Sequence, residues 1–157
     1  MSLVDLAALK STLAPGARLL GLDLGEKTIG LALSDTLRSV ATPLHTLKRS
    51  KFTADASMIE KIIAEHNIGA LVIGMPLNMD GSTGPAAQSA RAFANNFAKL
   101  NDFPVVLWDE RLSTAAVTRT LLEADASRKR RAEVVDKMAA AYILQGALDR
   151  LRQIASA

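Results

Sequence analysis

An aspartate set inside an apolar strand is the most constraining feature of this chain. Residues 19–35 read LLGLDLGEKTIGLALSD. Two apolar runs, Leu19-Leu20-Gly21-Leu22-Asp23-Leu24 and Ile29-Gly30-Leu31-Ala32-Leu33, flank the polar break Gly25-Glu26-Lys27. A glycine-containing break between two β-prone runs predicts a hairpin. A carboxylate within such a strand is costly unless it has a partner or binds a cation.

The rest of the chain predicts the frame around that strand. Residues 3–13 carry Leu3, Leu6, Leu9 and Leu13 near a 3.6-residue period and read as a short helix, ended by Pro15-Gly16. Strands follow over 18–24 and 28–34. A third over 37–47 alternates Val40, Thr42, Leu44 and Thr46, and Pro43 assigns it to a sheet edge. Residues 52–66 predict a helix with the stripe Ile59, Ile62 and Ile63, stopped by Asn67 and Gly69. The wholly apolar run over 70–74 has the pattern of an interior parallel strand. A loop over 75–84 leads to a helix over 85–100, with Ala86, Ala90, Phe93, Ala94 and Phe97 on one side. Another buried strand spans 105–108 and runs into Asp109-Glu110-Arg111. Ser113 reads as an N-cap for a helix over 114–123. A basic connection over 124–131 then leads to a final helix over 132–151. Three antiparallel strands followed by two β–α–β units predict an α/β fold: a five-stranded mixed sheet with helices on both faces.

Composition limits the function classes. The 157 residues predict a single domain over 1–157, with 1–17 as an N-terminal helical extension. Cysteine is absent, so neither disulfides nor thiolate metal sites occur. No apolar run approaches the roughly 18 residues of a membrane span, and no secretory leader pattern is present, so a cytoplasmic protein is expected. The net charge of +3 is concentrated at the C-terminal end, where residues 128–152 hold seven Lys/Arg against three Asp/Glu. Arg128, Lys129, Arg130 and Arg131 lead this patch and suggest a phosphate backbone as partner; a solvated helix face is the plain alternative. A smaller basic cluster lies at Lys48-Arg49-Ser50-Lys51. Aromatic residues are 4%, which does not support single-strand binding by base stacking.

In the predicted sheet the first, fourth and fifth strands run parallel, and their C-terminal ends share one rim, where α/β proteins place ligands. Asp23 falls at that rim, as do Asp109 and Glu110. Only one of the latter two can point at a given face, and the sequence leaves the choice open. Asp136 shares a helix face with Ala139, Ala140 and Ile143, and a small apolar face can approach a sheet closely. Three carboxylates without a histidine or cysteine pattern favour a hard cation, Mg²⁺ or Mn²⁺. A pair of such ions is an established arrangement for phosphodiester cleavage. Each acid also has a structural use: Asp23 as a turn cap, Asp136 as a complement to the helix dipole, Glu110 as a partner of Arg111 or Arg119. His45 and His66 have no partner spacing and read as structural or surface residues. The loop containing Asn78 and Gly81 offers backbone N–H groups ahead of a helix, a phosphate-contacting pattern without the P-loop signature.

Four stretches, GLDLGEKTIGLALSD (21–35), VIGMPLNMDGSTG (72–84), WDERLST (108–114) and VDKMAAAYIL (135–144), resemble the YqgF family of bacterial proteins in order and spacing. Those proteins are described as pre-16S rRNA nucleases and also as Holliday junction resolvases. The resemblance implies a ribonuclease H-like fold. It puts Asp23, Glu110 and Asp136 at the family's acidic, metal-binding catalytic positions, which selects Glu110 over Asp109. It further implies metal-dependent phosphodiester hydrolysis in maturing the 5′ end of small-subunit rRNA. Lys27, Arg111 and the run 128–131 are candidate phosphate contacts.

Three other readings compete. A junction resolvase acting on branched DNA needs two active sites and hence a symmetric dimer, whereas the RNA nuclease could work as a monomer. A non-catalytic RNA-binding module on ribosome precursors would not need the acids. An actin-like or sugar-kinase-like ATPase would need two copies of this fold, and the chain has room for one.

Overall fold

The computed structural model of the chain describes residues 3–112 and 128–154, and of 128–136 the backbone alone. Its elements run α1 (Leu6–Thr12), β1 (Arg18–Leu24), β2 (Thr28–Ser34), β3 (Ala41–Lys48), α2 (Phe52–His66), β4 (Ile68–Met75), α3 (Pro85–Asn101) and β5 (Val105–Asp109). A 3-10 turn (Glu110–Leu112) and α4 (Arg128–Gln153) follow. The helix expected over 114–123, with Ser113 as its cap, lies outside the described residues.

The five strands form one mixed sheet in the order β3-β2-β1-β4-β5. β2 is antiparallel to β1 and β3, while β1, β4 and β5 run parallel. β3 lies at the edge, where Pro43 is tolerated because its missing N–H removes no interior ladder bond. The β2–β3 register shifts between Leu31 and Ala32, next to the Ala32–Pro43 pair.

Strand alternation sorts the core into two layers. Leu20, Leu22, Leu71 and Ile73 point toward α2 and α3, where Ile59, Phe93 and Phe97 complete one cluster. Leu19, Ala70, Val72 and Val106 point the other way, against Ala140, Ile143, Leu144 and Leu148 of α4. Phe52, Phe93, Phe97 and Phe103 form a chain of ring contacts through the first layer, with centroids 5.1, 6.4 and 6.2 Å apart. Phe93 and Phe97, the buried pair of this chain, contribute roughly 1.5–3 kcal/mol each, and the half-buried Phe52 and Phe103 less.

Local chemistry sets the helix ends. Asp5 caps α1 by accepting from the Ala8 N–H at 2.8 Å. Pro85 opens α3 at a position whose N–H would be unused. α2 and α3 stop at Asn67 (φ 53°) and Asp102 (φ 46°), in the left-handed conformation these two residue types tolerate best after glycine.

Several boundaries differ from expectation. Leu3 is not helical; it forms an isolated bridge to Val105. β3 begins at Ala41 because residues 35–40 close a turn around Asp35. The buried stripe of α3 starts at Ala87, while Ala86 is exposed. α4 starts four residues before its expected beginning, so Arg128, Lys129, Arg130 and Arg131 are helical rather than part of a connection. Arg and Lys are good helix formers and extend the helix despite their like charges.

Candidate active site

Asp23 is only 5% exposed, on the face of β1 that looks toward α4. Two residues earlier on that face stands Gly21, where a β-carbon would lie 2.7 Å from Leu144 Cβ and 3.0 Å from the Ala140 carbonyl. α4 therefore rests on the backbone of β1. Across the β1–β2 ladder Asp23 pairs with Gly30, which carries no side chain.

Glu110 is 4% exposed and immediately follows β5, in the 3-10 turn. Its carboxylate occupies space left by a glycine of the neighbouring strand: a β-carbon on Gly74 would stand 3.0 Å from Glu110 Oε2 and 2.5 Å from Ile143 Cδ1. The β1–β4 register ends on the Leu22–Ile73 pair, so Asp23 and Gly74 come next, at one level on strands about 4.8 Å apart. Two buried carboxylates thus share the rim on the α4 side of the sheet.

Asp109 goes elsewhere. Its carboxylate accepts from Arg111 Nε at 3.1 Å and from Nη2 at 2.7 Å, and from the Arg111 backbone N–H at 3.0 Å. The paired guanidinium holds the Asp109 carboxyl below its usual pKa. The pairing that the sequence left open between Arg111 and Glu110 belongs to Asp109.

The backbone of α4 runs antiparallel to β1. Gln145 reaches the start of β3, accepting from the Ala41 N–H at 2.8 Å and donating to the Ser39 carbonyl at 3.0 Å. Four residues N-terminal to Ala140, about 6 Å along the helix, is Asp136; two residues beyond Gly21, about 6.6 Å along the strand, is Asp23. The two stretches of backbone therefore keep level. Asp136 lies in the third turn of α4, not the first, so complementing the helix dipole is no longer its explanation.

The loop after β4 is internally bonded. Asn78 N–H donates to the Ser82 carbonyl at 3.0 Å, Gly81 N–H to the Asn78 carbonyl at 2.8 Å, and Asn78 Nδ2 to Ser82 Oγ at 2.9 Å. Gly81 adopts φ +88°, which only glycine takes at no cost. Asp80 accepts from the Ser82 N–H and hydroxyl at 2.9 and 2.6 Å, which lowers its pKa. Arg111 Nη1 donates to the Met79 carbonyl at 3.3 Å and ties this loop to the turn that carries Glu110.

Of the remaining candidates, Lys27 is exposed at the β1–β2 turn. The run 128–131 forms the first turn of α4. His45 is exposed on the edge strand and His66 is half-buried at the end of α2, so the first is a surface residue and neither lies beside Asp23 or Glu110. Arg49 has a role that its small basic cluster does not announce. It donates to the Gly25 carbonyl at 2.6 Å and to Ser89 Oγ at 3.1 Å, and so joins the β1–β2 turn to α3. Beside it opens a cavity of about 470 Å³, bordered by Leu24, Glu26, Pro85 and Ala86. Gly74 is equally silent in the sequence; its only signal is its place at the end of an apolar run.

The sequence model of RuvX, Holliday junction resolvase, matches residues 17–150. The chain belongs to the RuvX family. Its curated relatives include proteins named as pre-16S rRNA nucleases. One, from Paramagnetospirillum magneticum, is 61% identical over 95% of this chain and 96% of its own length. Another, from Roseobacter denitrificans, is 60% identical over 98% and 96%. The RuvX chain is thus a nuclease, a hydrolase of phosphodiester bonds, and its resemblance to YqgF proteins holds. Among solved structures it is similar to Thermus thermophilus RuvC, with TM-score 0.51 at 14% identity over 87% of this chain and 97% of that one. T. thermophilus RuvC in complex with Holliday junction substrate gives TM-score 0.50 at 15% identity over 85% and 95%. The fold is ribonuclease H-like, as expected.

The donor set suits a hard cation. Asp23 and Glu110 offer only carboxylate oxygens, cysteine is absent, and neither histidine lies at this rim. Among the described residues no three His, Cys, Asp or Glu form a group able to hold a metal ion. The side chain of Asp136, the third acid expected there, lies outside the described part of the molecule. Among the described residues no helix is long and apolar enough to cross a membrane.

Proposed function

We propose that this RuvX-family chain is a divalent-metal-dependent endonuclease that cleaves structured RNA and trims the 5′ end of pre-16S rRNA in the bacterial cytoplasm. The observation that carries the reading is the burial of Asp23 and Glu110 at one rim, on one face of neighbouring strands. Membership in the family, and relatives named for this activity, support it.

In this reading Asp23, Glu110 and Asp136 hold one or two Mg²⁺ or Mn²⁺ ions. When bound there, such an ion would supply a water of lowered pKa and positive charge to offset that on the phosphoryl oxygens. The protein's part is to fix its acids before substrate arrives. Asp23 is locked by the strand ladder, and Glu110 by its seat on Gly74 against Ile143. Lys27 and the cations of 128–131 contact the RNA backbone, whereas the donors of Asn78 and Gly81, candidates for the same role, are bonded within their turn and shape the loop instead. Arg111 serves the substrate indirectly, by holding the loop and Asp109. Ribosome-assembly factors are candidate partners.

A second reading, cleavage of four-way DNA junctions, is favoured by the description of the family itself. It requires two sites in a symmetric dimer. The deciding experiment compares a small-subunit rRNA precursor with a four-way DNA junction, each with Mn²⁺, Mg²⁺ or EDTA, for wild type and Asp23→Asn. Metal-dependent cleavage of the RNA alone, lost in the variant, is expected. Paired symmetric cuts in the junction would replace the first reading with the second. Binding without cleavage of either would favour a non-catalytic RNA-binding module.

A further inference from the structure

The loop between β4 and α3 presents an apolar side chain to solvent at the rim of the acidic site. Met79 is 90% exposed. It is not a frayed tip. The turn beneath it is closed by the Gly81 N–H to Asn78 carbonyl bond at 2.8 Å, by the Asn78 N–H to Ser82 carbonyl bond at 3.0 Å and by the Asp80–Ser82 pair. Arg111 holds the Met79 carbonyl at 3.3 Å while its other nitrogens grip Asp109. The residue following Arg111, Leu112, is 69% exposed as well. One guanidinium thus joins two turns that each expose an apolar residue, and Glu110 precedes it in the chain.

We propose that Met79 is a wedge that stacks on or between nucleobases at the junction of a duplex and a single strand, and so selects structured substrates. This rests on the reading of the site as a phosphodiester-cleaving centre. Unbranched, polarizable thioether side chains adapt to irregular surfaces and make favourable contacts with aromatic rings. Apolar side chains, methionine among them, enter base steps and unstack them in other nucleic-acid-binding proteins. Met79, even together with Leu112 on the neighbouring turn, offers too little area for a protein interface, which needs upwards of about 1,000 Å². It suits one base. The Asn78, Gly81 and Ser82 N–H groups are bonded within the loop and Arg111 holds the Met79 carbonyl, while the Met79 side chain itself presents shape and polarizability rather than hydrogen bonds.

The test uses an RNA hairpin with a single-stranded extension and 2-aminopurine at the last paired position. Binding is followed in EDTA, so that it does not depend on cleavage, with wild type, Met79→Ala and Met79→Leu. Wild type should raise the 2-aminopurine fluorescence on binding, Met79→Ala should abolish the rise, and Met79→Leu should restore most of it. With Mn²⁺, Met79→Ala should raise KM for this substrate about tenfold, while a relaxed single strand is cut as by wild type. The side chain is exposed, so the variant's melting temperature should match wild type. An unchanged fluorescence rise in Met79→Ala would overturn the wedge and leave the cleavage reading intact. A rise that depends on Met79, in a protein that cuts neither RNA nor DNA with any metal, would overturn the cleavage reading and leave the wedge standing.

Discussion

Glu110 sits over Gly74, with Oε2 only 3.0 Å from where a β-carbon on that glycine would be, and Ile143 Cδ1 closes the same space at 2.5 Å. A strand residue without a side chain is thus what seats the carboxylate beside β1. Gly74→Ala should push Glu110 out of line before it unfolds anything, because both neighbours are ends of side chains. Metal-dependent cleavage should fall at least tenfold, with a stability loss toward the low end of the roughly 1–3 kcal/mol typical of overpacking. Gly21→Ala meets the Ala140 backbone and Leu144 Cβ instead, so its larger effect should be on the melting temperature. Activity intact in Gly74→Ala would show that the seat is not what positions Glu110.

Arg111 should behave as a clamp on the loop. It binds both oxygens of Asp109 and the Met79 carbonyl. Arg111→Ala should leave the melting temperature nearly unchanged, because exposed pairs contribute little to global stability. Hydrogen exchange in residues 78–82 should rise, and KM should rise more than kcat falls. Arg111→Lys should not rescue, since an ammonium cannot grip in fork geometry. Full rescue by lysine would mean that charge alone matters, as for a direct phosphate contact.

The turn after β2 should be acid-sensitive. Asp35 accepts from the Val40 and Ser39 backbone N–H groups at 3.0 and 2.7 Å, and from Ser39 Oγ at 2.9 Å. These bonds lower its pKa from 3.8 to about 2. A carboxyl depressed in the folded state stabilises above its unfolded pKa and loses that contribution as pH falls through the folded one. The melting-temperature gap between wild type and Asp35→Ala should therefore be constant near neutrality and narrow between pH 3.8 and about 2. A gap that does not change across that window would show that the bonds do not favour the ionised form.

The basic first turn of α4 should carry salt-dependent binding. Replacing Arg128, Lys129, Arg130 and Arg131 by glutamine should weaken RNA binding and flatten the plot of log affinity against log salt. The slope should change by about 0.7–0.9 for each phosphate no longer neutralised. An unchanged slope would assign these cations to a solvated helix face.

The order of the elements was legible because hydrophobic period and turn residues are local signals. The apolar run ending at Gly74 reads as a parallel strand, and Gly25-Glu26-Lys27 as a hairpin, from a few neighbours each. The start of α4 was not, since a run of four like charges resembles a solvated loop until the helix behind it is anchored by Ala140, Ile143 and Leu144. Arg49 was also hidden: nothing near it in sequence announces Gly25 or Ser89 as its partners.

Local pattern was enough to put Asp23 within a strand of a mixed sheet and to bring acids from distant segments toward one rim. It could not divide the roles of Asp109 and Glu110. Side chains alternate along a strand, but β5 ends at Asp109 and Glu110 begins a 3-10 turn, so the rule stops one residue too soon. The choice was made by packing in three dimensions. Asp109 turns to Arg111, and Glu110 takes a buried seat on a glycine of another strand. That division depends on how β4, β5 and α4 fit against one another, which no local stretch of residues encodes.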